Sequence, residues 1–270
     1  MAEAPPPIAS ALDFSGQVVL VTGGGRGVGR GISERFLEAG ADVVVCGRHE
    51  PEVAPAGGGR SATFIPADVR DAESVEALVA AIVARYGRLD VAVNNAGGSP
   101  PVDTATVSPK FSTSIIALNL LGPLFVAQRA NAVMQDQASG GSIINIGSVS
   151  GMRPTPTTAA YGAAKAGLAN LTETLAVEWA PKVRVNMVTG GLVRTEQSHL
   201  FYGDEAGLAA VGATIPLGRL AEPADIGDAC LLLASPLARY ITGSNLVVHG
   251  GGEIPAFLGA STGDVSASPA

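Results

Sequence analysis

An apolar run, Val18-Val19-Leu20-Val21, passes through Thr22 into a turn crowded with glycine, Gly23-Gly24-Gly25-Arg26-Gly27-Val28-Gly29. An amphipathic stretch, GISERFLEAG, follows directly. Strand, glycine turn and helix in that order constrain the fold more than anything else in the chain. A strand that feeds a helix through so tight a turn belongs to a parallel sheet covered by helices. Glycines there let the backbone approach a pyrophosphate, which the free N–H groups and the positive end of the helix can hold. Gly23, Arg26, Gly27, Val28 and Gly29 are therefore the first candidate contacts to a dinucleotide.

The same alternation runs through all 270 residues. Strands are expected near 17–22, 42–47, 62–66, 90–94, 142–147, 184–188 and 244–248. Helices are expected near 28–39, 72–85, 110–136, 157–180 and 224–234. The pattern predicts an α/β protein with a doubly wound, seven-stranded parallel sheet and helices on both faces. No linker or repeat divides it, so one domain is expected over 14–258, between a flexible extension, 1–13, and a flexible tail, 259–270. PEVAPAGGGR (51–60) is too rich in glycine and proline for a good crossover helix and predicts an irregular connection. Residues 196–215 break the periodicity.

Composition removes several classes of function. A net charge of −7 offers no basic stripe for nucleic acid. No uninterrupted apolar run approaches the 18 or so residues of a membrane span, so no membrane partner is expected. The opening MAEAPPPIASA lacks the basic and apolar regions of a signal peptide. Cys46 and Cys230 sit in apolar surroundings and suggest packing, which makes a reducing cytoplasm the expected location. Three scattered histidines and these two cysteines give no metal-ligand spacing, so no metal is expected.

In open α/β sheets the ligand lies beyond the carboxyl ends of the strands. The residues that follow these strands are Gly23–Gly29, Gly47-Arg48, Asp68, Asn95–Gly97, Ser148 and Gly190–Thr195, and they should line one cleft. An acidic residue after the second strand would bind the adenosine ribose and repel a 2′-phosphate. Gly47 and Arg48 stand there, with Arg26 in the turn, and two guanidiniums without a carboxylate favour NADP over NAD, which is still possible.

Tyr161 and Lys165 lie four apart in an Ala-rich helix, so both project from one face. A phenol titrates near 10, too high for proton exchange at neutral pH. An ammonium about 4 Å away, at an effective dielectric of about 20, would stabilise the phenolate by roughly 4 kcal/mol and bring it close to neutrality. Asn119 lies inside the otherwise apolar SIIALNLLGPLFVAQ, and Pro123 four residues on has no N–H for its carbonyl, which predicts a kink. Ser148 follows the strand Ile143–Ile146 as a hydroxyl donor; Gly147-Ser148-Val149 lacks the G-x-S-x-G elbow of a serine nucleophile.

Together T-G-x-x-x-G-x-G at Thr22–Gly29, Asn94-Asn95-Ala96-Gly97, Ser148 and Tyr161-x-x-x-Lys165 resemble the short-chain dehydrogenases/reductases over about residues 14–252. The resemblance implies a Rossmann-type fold, hydride transfer between NADP(H) and a small carbonyl or alcohol, and a homotetramer. It implies that Asn119, Ser148, Tyr161 and Lys165 are catalytic, that the Asn119 carbonyl holds a water linked to Lys165, and that Lys165 also binds the nicotinamide ribose. It sets Asp68 and Val69 at the adenine edge, although Asp68 reads equally as a helix cap. Asn95, Ala96 and Gly97 form the cofactor floor; Gly191, Val193 and Thr195 seat the nicotinamide. The family usually has Pro-Gly where this chain has Gly190-Gly191, which predicts a more mobile turn.

Leu200, Phe201, Tyr202, Ile254, Phe257 and Leu258 either close over a bulky apolar substrate, such as a steroid-like ketone or a 3-oxoacyl thioester, or pack in the core or a subunit contact. The rival to an enzyme is a regulatory protein that binds NADP on the same fold without turnover.

Overall fold

The computed structural model describes residues 7–260. Residues 1–6 and 261–270, the greater part of the tail and part of the extension expected to be flexible, lie outside the described residues. The chain takes regular structure before residue 14: a 3-10 turn at Ile8–Ser10 leads to Ala11, which is buried.

In chain order the elements are β1 (Val18–Thr22), α1 (Gly27–Glu38), β2 (Asp42–Gly47), β3 (Ala56–Gly57), β4 (Arg60–Ser61), β5 (Thr63–Pro66) and α2 (Ala72–Tyr86). Next come β6 (Val91–Asn94), α3 (Pro109–Ile116), a π-turn (Ala117–Leu121), α4 (Gly122–Asp136), β7 (Gly141–Ser148), α5 (Ala159–Trp179) and β8 (Val183–Gly190). The last are α6 (His199–Tyr202), α7 (Glu205–Gly212), α8 (Pro223–Ala234), β9 (Asn245–Val248) and α9 (Ala256–Ala260). Seven strands form one sheet in the order β5-β2-β1-β6-β7-β8-β9, every neighbouring pair parallel. Strand order reverses between β1 and β6, which is where a crevice opens in such a sheet.

Both faces are covered, so strands alternate sides without alternating polarity. Val19 and Val21 pack with Ile32, Phe36, Ile226 and Cys230 under α1 and α8. Val18 and Leu20 pack with Leu78, Ile82, Val126 and Met134 under α2 and α4.

Three connections differ from expectation. Residues 51–60 were expected to be irregular, but Ala56–Ser61 and Gly57–Arg60 pair as a small antiparallel hairpin. Residues 196–215 hold α6 and α7, helices too short and too exposed to carry an apolar stripe. The disruption at Asn119 and Pro123 takes the form of a π-turn, closed by the Gly122 N–H on the Ala117 carbonyl. Because Pro123 cannot donate, the ladder shifts register by one residue, and α3, the π-turn and α4 run on as 28 helical residues. That helix is long and apolar enough to cross a membrane by composition. In the fold its apolar side faces α2, β6 and β7.

Candidate active site

The glycine turn is built around Thr22. Its hydroxyl accepts from the N–H groups of Asn95 and Ala96, both at 3.0 Å, and donates to the Val93 carbonyl at 3.3 Å. The Asn95 amide in turn donates to the Thr22 and Gly23 carbonyls at 2.9 and 3.3 Å. These bonds lock the ends of β1 and β6 together at the point where strand order reverses. Ser33 braces the far side of the turn, its buried hydroxyl lying 3.1 Å from the Gly24 carbonyl and 2.9 Å from that of Gly29. Sequence reasoning passed over Thr22 and Ser33; the threonine was visible as the first letter of the glycine motif.

The turn fits a dinucleotide. Gly23 and Gly27 have φ of 62° and 52°, which L side chains rarely adopt. A Cβ on Gly29 would lie 2.3 Å from the Gly23 carbonyl oxygen, so only glycine lets α1 start this close to β1. The Gly27 N–H opens the helix, where a phosphate would find both donor and dipole. Arg26 immediately precedes it, exposed and, among the described residues, free of any ion pair; Arg48 at the end of β2 is the same.

Asp68 does not cap α2. Asp71 does, accepting from the Glu73 N–H at 3.1 Å. The Asp68 carboxylate instead grips Arg70, with Nη2–Oδ2 at 2.5 Å, and Arg70 first and Arg48 more weakly hold its pKa below the usual value. Any adenine contact by Asp68 must therefore share the carboxylate with Arg70. The Val69 side chain is buried, so only its backbone is offered to a ligand.

The second half of the site gathers on β7, the π-turn and α5. Ser148 ends β7, its Oγ accepting from the Ser150 N–H at 3.1 Å. Tyr161, in the first turn of α5, lies near enough to Ser148 for the serine hydroxyl to favour its phenolate. Asn119 is fully buried and clasps the loop after β6: Nδ2 donates to the Gly98 carbonyl at 3.0 Å and Oδ1 accepts from the Gly98 N–H at 2.9 Å. A Cβ on Gly97 would lie 2.6 Å from the Asn119 Oδ1 and 3.3 Å from the Lys165 Nζ, so the glycine makes room for both. Lys165 is 3% exposed, its amine donates to the Ile146 carbonyl at 2.8 Å, and it stands over the Tyr161 ring, 5.7 Å from the centroid.

One electrostatic expectation is corrected. The Tyr161 phenol is pushed up from 10, not down: burial disfavours its anion, and the Ser148 hydrogen bond offsets only part of that. Burial likewise lowers the Lys165 amine to about 8. Spacing on the helix set the two side chains on one face, but the amine spends its hydrogen bond on Ile146, and desolvation sets the direction of both shifts.

The turn after β8 also differs from expectation. Gly190 pairs with Ser148 and Val248 inside the sheet, and the Gly191 N–H donates to the Val248 carbonyl at 2.9 Å. A Cβ on Gly191 would strike His249 at 2.8 Å. Val193 bridges to Ala221, and Thr195 reaches back until its Cγ2 is 3.6 Å from where a Gly27 Cβ would be. Of the predicted residues, Asp68 lines one cavity, with Arg70, Lys110 and Ser114, and Gly191 lines another. Beside Ser148 a cavity of about 280 Å³ is walled by Val149, Met152, Leu192 and Ile215, with His249, Arg153 and Glu253 at its rim. Those three polar residues escaped sequence reasoning because no motif marks them.

The comparisons with known proteins agree. Residues 23–253 match a family model described as enoyl-(acyl carrier protein) reductase, one of the short-chain dehydrogenases/reductases. The L-fucose dehydrogenase of Oryctolagus cuniculus is 36% identical over 261 residues, 92% of this chain and 88% of the relative. The 3beta-hydroxysteroid dehydrogenase 1 of Eggerthella lenta is 36% identical over 252 residues, 88% and 94% of the two chains. The ligand-free aldohexose dehydrogenase of Thermoplasma acidophilum superposes with a TM-score of 0.82 at 31% identity, covering 88% of this chain and 94% of its own. The chain belongs to the short-chain dehydrogenase/reductase family, and it is an oxidoreductase that acts on alcohols with a nicotinamide cofactor.

Proposed function

We propose that this enzyme interconverts a ketone and a secondary alcohol with NADP(H). One observation carries the reading: Tyr161 lies near Ser148, next in the chain to the cavity-lining Val149, with the buried Lys165 amine over its ring. Tyr161 gives a proton to the carbonyl oxygen in reduction and takes one from the alcohol in oxidation, while Ser148 donates a hydrogen bond to that oxygen. The Lys165 charge offsets the phenolate that reduction leaves behind, and Asn119 holds the loop that bounds the proton path to solvent. The nicotinamide, when bound, supplies or accepts the hydride at C4.

The NADP preference is supported by the guanidiniums of Arg26 and Arg48, which have no ion pair among the described residues, and by Gly47 standing where a carboxylate would repel a 2′-phosphate, with NAD the lesser cofactor. The apolar cavity wall supports a substrate with an apolar body, steroid-like or 3-oxoacyl in type. A second reading has its own observation: the Arg153–Glu253 ion pair and His249 at the rim offer donor and acceptor together, as a polyhydroxylated substrate would require, and relatives include sugar dehydrogenases. A homotetramer in the cytoplasm completes the proposal, supported by exposed Val177 and Tyr240 and by two free buried thiols.

The test is a panel of steroid alcohols, 3-oxoacyl thioesters and hexoses followed by nicotinamide absorbance with each cofactor, in parallel with Tyr161→Phe. Tight cofactor binding with no turnover across the panel would favour a regulatory protein.

A further inference from the structure

We propose that Glu196 is an internal competitor for the dinucleotide: its carboxylate takes the N–H at the start of α1 that a phosphate needs, and cofactor binding displaces it. The proposal rests on the reading of the glycine turn as the cofactor site.

Glu196 Oε1 lies 3.1 Å from the Gly27 nitrogen. Gly27 is the first residue of α1, and its N–H has no partner within the helix. An anionic oxygen at this position meets the same donor and the same positive helix end that would hold a phosphate. Thr195 and Glu196 both lie over the turn, 3.6 and 3.9 Å from where a Gly27 Cβ would be. Among the described residues no cation pairs with the Glu196 carboxylate, so the Gly27 N–H is the contact that holds it. One N–H cannot serve a carboxylate and a phosphate at once, and the two anions repel.

The segment that carries Glu196 is tied together locally. The Thr195 N–H donates to the buried Ser198 Oγ at 2.8 Å, and the Ser198 carbonyl accepts from the Tyr202 N–H at 2.9 Å.

The experiment measures NADPH affinity of the full chain by fluorescence titration for wild type, Glu196→Ala, Glu196→Gln and a distant control, Glu178→Gln on α5. Losing one charge-assisted bond and one like charge should tighten NADPH about three- to tenfold in Glu196→Ala. Glu196→Gln keeps an acceptor and should gain less, and the gains should shrink as salt is raised. Without dinucleotide, Glu196→Ala should melt slightly below wild type, while its rise in Tm with NADPH should be larger. Unchanged or weaker NADPH binding in both Glu196 variants, with wild-type binding intact, overturns the competitor role alone. Wild-type protein that binds neither NADPH nor NADH overturns the cofactor reading and the proposal with it.

Discussion

The Lys165 amine stands over the ring of Tyr161, 5.7 Å from its centroid, and its hydrogen bond goes to the Ile146 carbonyl, not to the phenol. Lys165 is buried and Tyr161 half-buried, and desolvation favours the neutral form of each: the phenol is raised above 10 and the amine lowered to about 8. The arrangement keeps Tyr161 protonated at neutral pH, ready to act as an acid.

Tyr161→Phe keeps the ring and its packing and removes the hydroxyl, and with it the proton. Turnover should fall by about 10²- to 10⁴-fold while NADPH affinity stays close to wild type. Since the phenol titrates above its usual value, alcohol oxidation should climb with pH into the alkaline range, and ketone reduction should hold level through neutrality. A pH–rate profile in each direction checks both; oxidation already level at pH 7 would contradict the raised phenol.

Lys165→Met tests the buried amine. The folded pKa, about 8, lies below the unfolded value of 10.5. Below pH 8 both states carry the proton and the fold bears the full cost of burying it. Between 8 and 10.5 the unfolded chain binds more protons, so stability rises with pH, and above that range the cost is gone. The Tm of wild type relative to Lys165→Met should therefore be level below pH 8 and climb across that interval. A difference that does not vary with pH would remove the buried charge from the account.

Arg48→Asp places at the end of β2 the carboxylate that the sequence lacks. A 2′-phosphate would be repelled and a ribose hydroxyl accepted, so NADPH affinity should fall by about tenfold or more while NADH affinity holds or improves. Titration with both cofactors measures the shift.

Thr22→Val removes an acceptor shared by two N–H groups, leaving that of Ala96 without a partner and that of Asn95 with the Val93 carbonyl at 3.1 Å, at about 1–3 kcal/mol. The variant should melt lower and bind NADPH more weakly, and Thr22→Ser should recover most of both. Equal melting for Thr22→Val and wild type would show that the two strand ends are held by other means.

The sheet was legible because each buried strand is a short apolar run and each connection is marked by glycine or a polar break. β2 was expected and found at 42–47, and the other strands shifted by no more than two residues at an end. The helices α6 and α7 were hidden because their side chains face solvent and carry no periodic stripe. Among site residues, Asn119 stood out as a polar residue in an apolar helix, and its neighbour Pro123 correctly located a disruption. The spacing could not show that the disruption is a π-turn, closed at Gly122, which packs so tightly that a Cβ there would lie 3.0 Å from the Val69 Cγ2.

Sequence by itself determined the strand–turn–helix entry, the family, and the four polar side chains that are candidates for the site, because these follow from local periodicity and from residue types with few substitutes. Tertiary structure decided the direction in which Tyr161 and Lys165 titrate, the pairing of Asp68 with Arg70, the clasp of Asn119 on Gly98 and the seat of Glu196 on Gly27. Each of these depends on desolvation or on contact between segments far apart in the chain, and no spacing along one segment can express how deeply a group is buried or what meets it there.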